Sequence, residues 1–479
     1  MRLDEYAEHD ATALAELVAS GAVEAAELAA LAIAGCERVN GRLGAVVAAD
    51  DDPAERARAA ADGPFRGVPT MLKDLFHGDP GRLSEAGSRL AAGWVVQGET
   101  EFVRRLRACG LVPLGRTTTS EFGVMGTTET VAAGPTCSPW SDQHMAGGSS
   151  GGAAAAVGAG IVPVGSGTDG GGSIRIPASA CGVVGLKPSR GRVSWAPLAG
   201  DPLLGWAVQF VLTRSVRDAA ACLDVLAGGV AGDPAPLPAP QRPFAEAAAA
   251  EPGRLRIACC FQPWSADDPD DQVVAACRAT AELLEGLGHE LVEASPRFSW
   301  EAFLEAMTTV WSATTAQLVD GFAAAAGREP GPDTLELPTL RMVEHGRSVS
   351  GAQLLSAVDV AGAIGRVMAA FFAGHDLLLT PTLGALPARL GIYDPEQELE
   401  PRDLFSSWAR LESFLPVFNA TGQPAISLPL HMSEEGLPIG MQLVGRAGAE
   451  ATLLSVGGQL EQALPWAGRV PPLHVSHAG

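Results

Sequence analysis

The sequence predicts an α/β fold built on a largely parallel or mixed sheet. Two observations carry that expectation. From Gly67 onward, short apolar runs that read as buried strands alternate with stretches of helical periodicity. The 479-residue chain is also 47% hydrophobic, ample for a large core, although its length alone suggests roughly two to four domains.

The opening stretch reads as helices packing on something larger. Residues 11–35 have helical spacing and strong helix formers, broken near Gly21, with Asp10 and Ser20 or Gly21 as cap positions. A second helix is expected over 53–61. VPTML (68–72) reads as a buried strand running into Lys73-Asp74, EFVRRLRACG (101–110) as a helix ended by Gly110, and LVPLG (111–115) as a strand. GGAAAAVGAG (151–160) is a helix of very small residues suited to close packing. IVPVGSG (161–167) is a strand leading into a glycine-rich loop, and VVGLKPS (183–189) a further strand candidate. Residues 229–253 are rich in Pro and Ala and read as a linker or surface excursion. Beyond it, 254–260 reads as a strand, 270–288 as an amphipathic helix, and 376–382 and 425–430 as short strands.

Bulk charge narrows the partners. The net charge of −22 leaves no excess of Lys and Arg to neutralise phosphates, so nucleic acid and anionic membranes are not expected. No segment reads as a membrane span; the longest apolar run, 153–164, is too short and too rich in Ala and Gly. MRLDEYAEHD carries early acids and no apolar core of a signal peptide, so a cytoplasmic location is the expectation. The eight cysteines form no C-x-x-C pair and read as small buried apolar residues rather than metal ligands or disulfides. Two of the 33 basic residues are lysines, Lys73 and Lys187. Arginine stays protonated, whereas a desolvated lysine can lose its proton and act as a base. Coding bias with two accidental survivors is the other reading of that count.

Several motifs lead nowhere. Gly165 to Gly170 fits G-x-G-x-x-G, but Pro177 should interrupt the following helix, and Arg190 and Arg192 stand where a dinucleotide site needs an acid. Gly148 to Gly152 fits G-x-S-x-G around Ser150, yet the preceding SPWSDQHMAG is polar and turn-like. His77 and His144 read as surface or hydrogen-bonded residues. No phosphate-binding G-x-x-x-x-G-K-[ST] occurs.

Three stretches remain: GVPTMLKD (67–74), MAGGSSGGAAAA (145–156) and GSGTDGGGSIRIPASACGVVGLKP (165–188). Taken alone, the triple glycine before Ser173 could be a loose turn or a catalytic loop. The ordered set resembles the amidase signature family. The likeness extends through LRACGLVPLGRTTTSEFG (106–123), TRSVRDAAACLDVLAG (213–228), FNATGQPAISLPL (418–430) and GLPIGMQLVGR (436–446), from about residue 10 to about 465. The resemblance implies one large α/β/α domain with a mixed, mostly parallel central sheet. It would comprise N-terminal helices (1–62), a signature core (63–228), the Pro/Ala-rich excursion (229–253) and a part completing the sheet and pocket (254–479).

The same resemblance implies a Ser–cis-Ser–Lys triad. Ser173 would be the nucleophile, Ser149, after a cis peptide bond, the bridging serine, and Lys73 the base, with no metal and no cofactor. A serine hydroxyl needs a base to become nucleophilic, and a hydroxyl that accepts one proton while giving another can relay between groups too far apart to touch. Gly170, Gly171 and Gly172 would turn N–H groups inward, with that of Ser173, as an oxyanion hole. The family usually carries Thr or a similar residue where Gly170 stands; the departure is expected to loosen the loop without removing its donors. Asp169 and Arg175 read as residues that fix the loop, Asp74 as one that holds backbone, and Lys187 as structural. Met125, Thr127, Trp311 and Asn419 are pocket candidates.

The implied activity is hydrolysis of a small, linear or cyclic amide through an acyl-enzyme. Within the family the N-terminal half is similar to amidases of the nylon-oligomer type, on FRGVPTMLKDL (65–75) and IRIPASACGVVGLKPSRGRVS (174–194). Two other readings are the glutaminase subunit of a tRNA-dependent amidotransferase, which needs partner subunits, and a non-catalytic binding protein on the same fold. LRMVEHGRSVSGAQL (340–354) does not resemble the former, and an intact Lys73, Ser149 and Ser173 argue against the latter. The expected partner is a small-molecule amide; oligomeric state is not readable, and a homodimer stays open.

Overall fold

The computed structural model describes residues 1–265 and 267–477. Eleven strands form one sheet: β1 (Val46–Ala49), β2 (Pro69–Lys73), β3 (Val112–Thr117), β4 (Val164–Asp169), β5 (Val184–Lys187), β6 (Val208–Thr213), β7 (Arg256–Cys259), β8 (Glu290–Glu293), β9 (Leu377–Pro381), β10 (Ala425–Met432) and β11 (Pro438–Gly445). Their spatial order is β1-β3-β2-β4-β6-β5-β10-β11-β9-β7-β8. Strands drawn from both halves of the chain thus enter one sheet flanked by helices, and the several domains suggested by length give way to one.

The sheet is mixed but not mostly parallel. Only β2 with β3, β2 with β4, β7 with β8 and β7 with β9 run parallel. The other six of the ten pairings are antiparallel. Two features cause this. β6, unrecognised in the sequence, inserts antiparallel between β4 and β5. β10 and β11 form a tight hairpin, which needs no crossover helix.

The expected elements form close to their expected limits. Ala11–Ala19 is a helix whose N-cap Asp10 accepts from the Ala13 N–H; it ends before Gly21, at φ +73°, and Ala25–Leu43 follows. Glu101–Ala108 starts on the Thr100 cap and stops before Gly110. The 229–253 excursion is irregular apart from Phe244–Ala248, where buried Phe244 anchors it. All eight cysteines are buried and free. Contrary to expectation, a helix does open after the glycine loop, Arg175–Cys181. Pro177 lies in its first turn, where a missing N–H costs nothing.

The sequence reading passed over three long helices, Trp300–Ala326, Leu337–Ser348 and Gly351–Phe372. They carry much of a second apolar cluster, beside the one that surrounds the N-terminal strands. Gly351–Phe372 is long and apolar enough to cross a membrane by length and composition. In this fold it buries Ala357, Ala361, Ile364, Met368 and Phe372, spaced three and four apart along one face, and packs on Trp300–Ala326.

The helix Gly151–Gly158 lies across β2, β3 and β4, and its first seven residues are all buried. A Cβ on Gly152 would meet the Thr118 side chain and backbone and the Ala45 carbonyl inside van der Waals contact. Gly152→Ala is therefore expected to overpack this layer and cost about 1–3 kcal/mol, seen as a lower midpoint of thermal unfolding.

Candidate active site

Parallel neighbours β2 and β4 end on the same edge of the sheet, in the register Thr70 to Val164 and Met71 to Gly165. β2 ends at Lys73 and β4 at Asp169, after which the chain enters Gly170-Gly171-Gly172-Ser173. Such edges are where open α/β sheets bind ligands. The small-residue helix comes close enough to put its leading serines over Lys73. A Cβ at Gly165 would stand 3.1 Å from the Ala153 carbonyl oxygen, and one at Gly167 3.1 Å from Ser150 Oγ.

Lys73 is fully buried, and its Nζ reaches three hydroxyls: Ser149 Oγ at 2.7 Å, Thr168 Oγ1 at 2.8 Å and Ser150 Oγ at 3.0 Å. Burial lowers its pKa to about 7, against an upward pull from Asp169. The Gly148–Ser149 peptide bond is cis, as the family resemblance implied. Glycine is needed before it, because a Cβ there would lie 2.6–2.8 Å from the backbone of Thr127. Ser173 lines the same cavity as Ser149, and its carbonyl accepts from the Ser150 N–H at 3.2 Å. Among the described residues no hydrogen bond joins the Ser149 and Ser173 hydroxyls. The direct contacts therefore link Lys73 to Ser149, with Ser173 beside them at the cavity wall.

The glycine loop departs from expectation in one donor. The Gly172 N–H is bound to Asp169 Oδ1 at 2.7 Å, and the Ile174 N–H to Asp169 Oδ2 at 3.2 Å. Gly172 is thus turned away from any oxyanion, because Asp169 uses its N–H to hold the loop. The N–H groups of Gly170, Gly171 and Ser173 meet no protein acceptor among the described residues. Asp169 pairs with Arg175 in a wholly buried ion pair at 2.9 Å. Burial would raise the Asp169 pKa, but Arg175, helped by Lys187 and Asn419, brings it down to about 2. Arg175 also donates to the Leu415 carbonyl, Gln442 Oε1 and Asn419 Oδ1.

Two cavities meet at Ser173. The larger, about 750 Å³, is lined by Ser149, Thr168, Gly170, Ser173, Leu203 and Trp311 among others. The smaller, about 40 Å³, is a side chamber bounded by Gly126, Gly171, Ser173, Trp311, Trp408 and Glu412 among others. Of the four pocket candidates, Trp311 lines both cavities and Met125 the chamber. Thr127 and Asn419 line neither. The Thr127 hydroxyl is committed to Glu129 at 2.7 Å. Asn419 Nδ2 donates to the Asp169 backbone carbonyl at 2.8 Å and to the Trp206 carbonyl at 3.1 Å, so its amide holds the loop from below. Gly170 does not loosen the loop: a Cβ there would stand 2.5 Å from Leu203 Cδ1 and 3.1 Å from the Trp311 ring, so neighbours already fill that space.

The roles expected of Asp74 and Lys187 fit their contacts. Both Asp74 oxygens accept from the Glu85 N–H at 3.0 Å. Lys187 is fully buried and donates to the Pro188 carbonyl at 3.1 Å. Ser141–Met145, in the stretch read as turn-like before Ser150, is a short strand of a two-stranded hairpin. Of the two readings of His77, surface or hydrogen-bonded, the second holds: it is buried, and its Nδ1 pairs with Ser166 Oγ at 2.7 Å, which also accepts from the Lys73 backbone N–H at 2.8 Å. Ser150, considered from the sequence only as the serine of a rejected G-x-S-x-G match, and Thr168, given no role there, both hold Lys73. Their one signal was position, each a neighbour of a motif residue.

The amidase family model matches residues 27–454. The chain is 40% identical to the 6-aminohexanoate-cyclic-dimer hydrolase of Pseudomonas sp. (strain NK87) over 476 residues, 97% of this chain and 96% of that protein. Its fold matches the structure of a 6-aminohexanoate cyclic dimer hydrolase complexed with substrate, with a TM-score of 0.92 and 38% identity over 98% of this chain and 99% of that one. A bacterial aryl acylamidase of the amidase signature enzymes superposes with a TM-score of 0.86 at 28% identity, over 96% and 99% of the two chains. On this evidence of sequence and fold together, the chain belongs to the amidase signature family and is an amide-hydrolysing enzyme.

Proposed function

We propose that this amidase cleaves a small linear or cyclic amide through an acyl-enzyme on Ser173, with Ser149 as proton relay and Lys73 as base. The observation that carries the reading is the buried Lys73 amine, held at 2.7 Å from Ser149 Oγ with its pKa lowered to about 7. The surrounding hydrogen bonds support a lone pair directed at Ser149. Ser150 Oγ lies 3.2 Å from the Thr168 carbonyl, to which it gives its proton, so it accepts from Lys73. A neutral amine has two N–H groups, which Ser150 and Thr168 take, leaving the lone pair for the Ser149 proton.

In the proposed reaction Lys73 draws the Ser149 proton as Ser149 draws that of Ser173, and Ser173 Oγ attacks the amide carbon. Closing the gap between the two serine hydroxyls is a step that substrate binding completes, since catalytic hydrogen bonds often tighten only in the complex. The N–H groups of Gly170, Gly171 and Ser173 take the oxyanion. The proton returns to the leaving nitrogen, the amine departs, and water cleaves the ester by the same relay. The likeness to cyclic-dimer hydrolases, together with a main cavity of about 750 Å³, favours a substrate as large as a cyclic or short linear aminohexanoate oligomer.

Three outcomes are expected. Ser173→Ala abolishes turnover and labelling by a fluorophosphonate, whereas Lys73→Ala lowers kcat/KM by about 10²–10⁴-fold; full activity in either variant overturns the assignment. The base must be neutral, so kcat/KM rises with pH through about 7 and levels off above it; a profile falling over that range contradicts the Lys73 role. Gly148→Ala moves Ser149 off Lys73 and lowers kcat by about 10²-fold while the fold is kept, checked by steady-state kinetics beside circular dichroism.

A further inference from the structure

The side chamber at Ser173 holds a group that the proposed mechanism does not use. Glu412 is the one ionisable residue in its wall; the rest of the lining is largely apolar and aromatic, with Trp300, Trp311, Phe405 and Trp408. Among the described residues, the Glu412 carboxyl makes no hydrogen bond and no ion pair. Its position is defined by Gly126 across the chamber: a Cβ on Gly126 would collide with Glu412 Oε1, so one carboxyl oxygen packs directly against that glycine. Three further polar atoms of lining residues lack partners, Trp311 Nε1, Trp408 Nε1 and Ser413 Oγ. Glu412 is partly exposed, to the chamber rather than to a protein donor, and a carboxyl kept unpaired in a largely apolar wall beside Ser173 is expected to have a use for a ligand's donor. Burial, with a smaller effect of Asp169, also pushes the Glu412 pKa up to about 8, as expected for a carboxyl with no donor facing it.

Resting on the amidase reading above, we infer that Glu412 is a substrate-binding residue that accepts a hydrogen bond from a nitrogen-borne N–H, an ammonium or a second amide, on the part of the substrate entering the side chamber. A volume of about 40 Å³ admits a small terminal group and no long chain. The aromatic walls exclude water and, against an ammonium, add cation–π attraction. The enzyme would thus read a second nitrogen of its substrate at a set distance from the scissile bond, a property suited to molecules that repeat an amino-acyl unit.

The test uses the full-length enzyme and matched amide substrates that differ only at one chain end, which carries an ammonium, an acetamido group or a methyl group. One series varies the acyl side and one the amine side. In the wild type, kcat/KM for the N–H-bearing member exceeds that for the methyl member in one series. In Glu412→Ala and, independently, in Gly126→Ala, that ratio falls at least about tenfold, mostly through KM. Glu412→Gln keeps an acceptor but no charge, so a loss confined to the ammonium substrate identifies the cation, and a loss in Glu412→Ala alone identifies the amide. A ratio unchanged in both Glu412→Ala and Gly126→Ala overturns the inference, as does an equal fall for all three substrates, which marks a structural role. Fluorophosphonate labelling of Ser173 in the same variants separates the two readings: labelling with no change in ratio removes the Glu412 role alone, and wild-type enzyme that is neither labelled nor active removes the mechanism.

Discussion

An amine shut away from water is the constraint around which this molecule is arranged. A lysine in solvent is almost wholly protonated at neutral pH and useless as a base; desolvation removes that preference. The cost is bearable only if the surroundings supply hydrogen bonds without supplying negative charge. The three hydroxyls of Ser149, Ser150 and Thr168 do so. Asp169, at the end of the neighbouring strand, is the danger, because a carboxylate facing Lys73 alone would stabilise the ammonium. Its charge is taken up by Arg175 in an ion pair with no exposed atom, and its two oxygens bind Arg175, two backbone N–H groups and the Asn419 amide. The Arg175 pair thus shapes the loop and also keeps a negative charge from acting on Lys73 alone.

Bringing serines to that amine is a packing problem, and small residues solve it. Lys73 is on a strand buried along its whole length; Thr168 reaches its amine from the neighbouring strand, and the serines come from the start of the helix packed on the sheet. Helix-to-sheet distance depends on side-chain size. With Gly151, Gly152 and four alanines against Gly165 and Gly167, the helix start drops until Ser149 touches Nζ. A single larger residue here would disturb the Lys73–Ser149 contact as well as stability, because the packing layer sets that distance.

How much of this was legible follows from where the information lies. Local signals were strong for Ala11–Ala19 with its Asp10 cap, for β2 running into Lys73, and for the glycine that ends Glu101–Ala108. The ordered motifs placed Lys73, Ser149 and Ser173, and the structure puts Ser149 and Ser173 on one cavity wall with Lys73 buried behind them, bonded to Ser149. β6 and β11 were missed because fully buried strands have no alternation to read, and the long helices because Ala and Gly blur an amphipathic stripe. Direction of pairing is a tertiary property, which is why the sheet proved less parallel than expected. The same holds for Gly172 and Asn419. Each is near the nucleophile in the chain or in space, yet a carboxylate invisible to spacing turns one away and occupies the other.

Gly170 shows how a change at one loop position is read through its neighbours. Losing a side chain there would free the backbone if nothing replaced it. Leu203 replaces it. That residue sits at φ +53°, uncommon for a leucine, and its Cδ1 occupies the space a Cβ at 170 would need. Trp311 closes on the same point from the helix side and forms part of both cavities. The glycine loop is therefore held by two side chains, one from a loop within the signature core and one from a long helix beyond it. The same two side chains form walls where the substrate must lie. In this enzyme the support of the glycine loop and the shape of the cavity are one structure, so a change that widens the cavity at Leu203 or Trp311 also releases the backbone N–H groups next to Ser173.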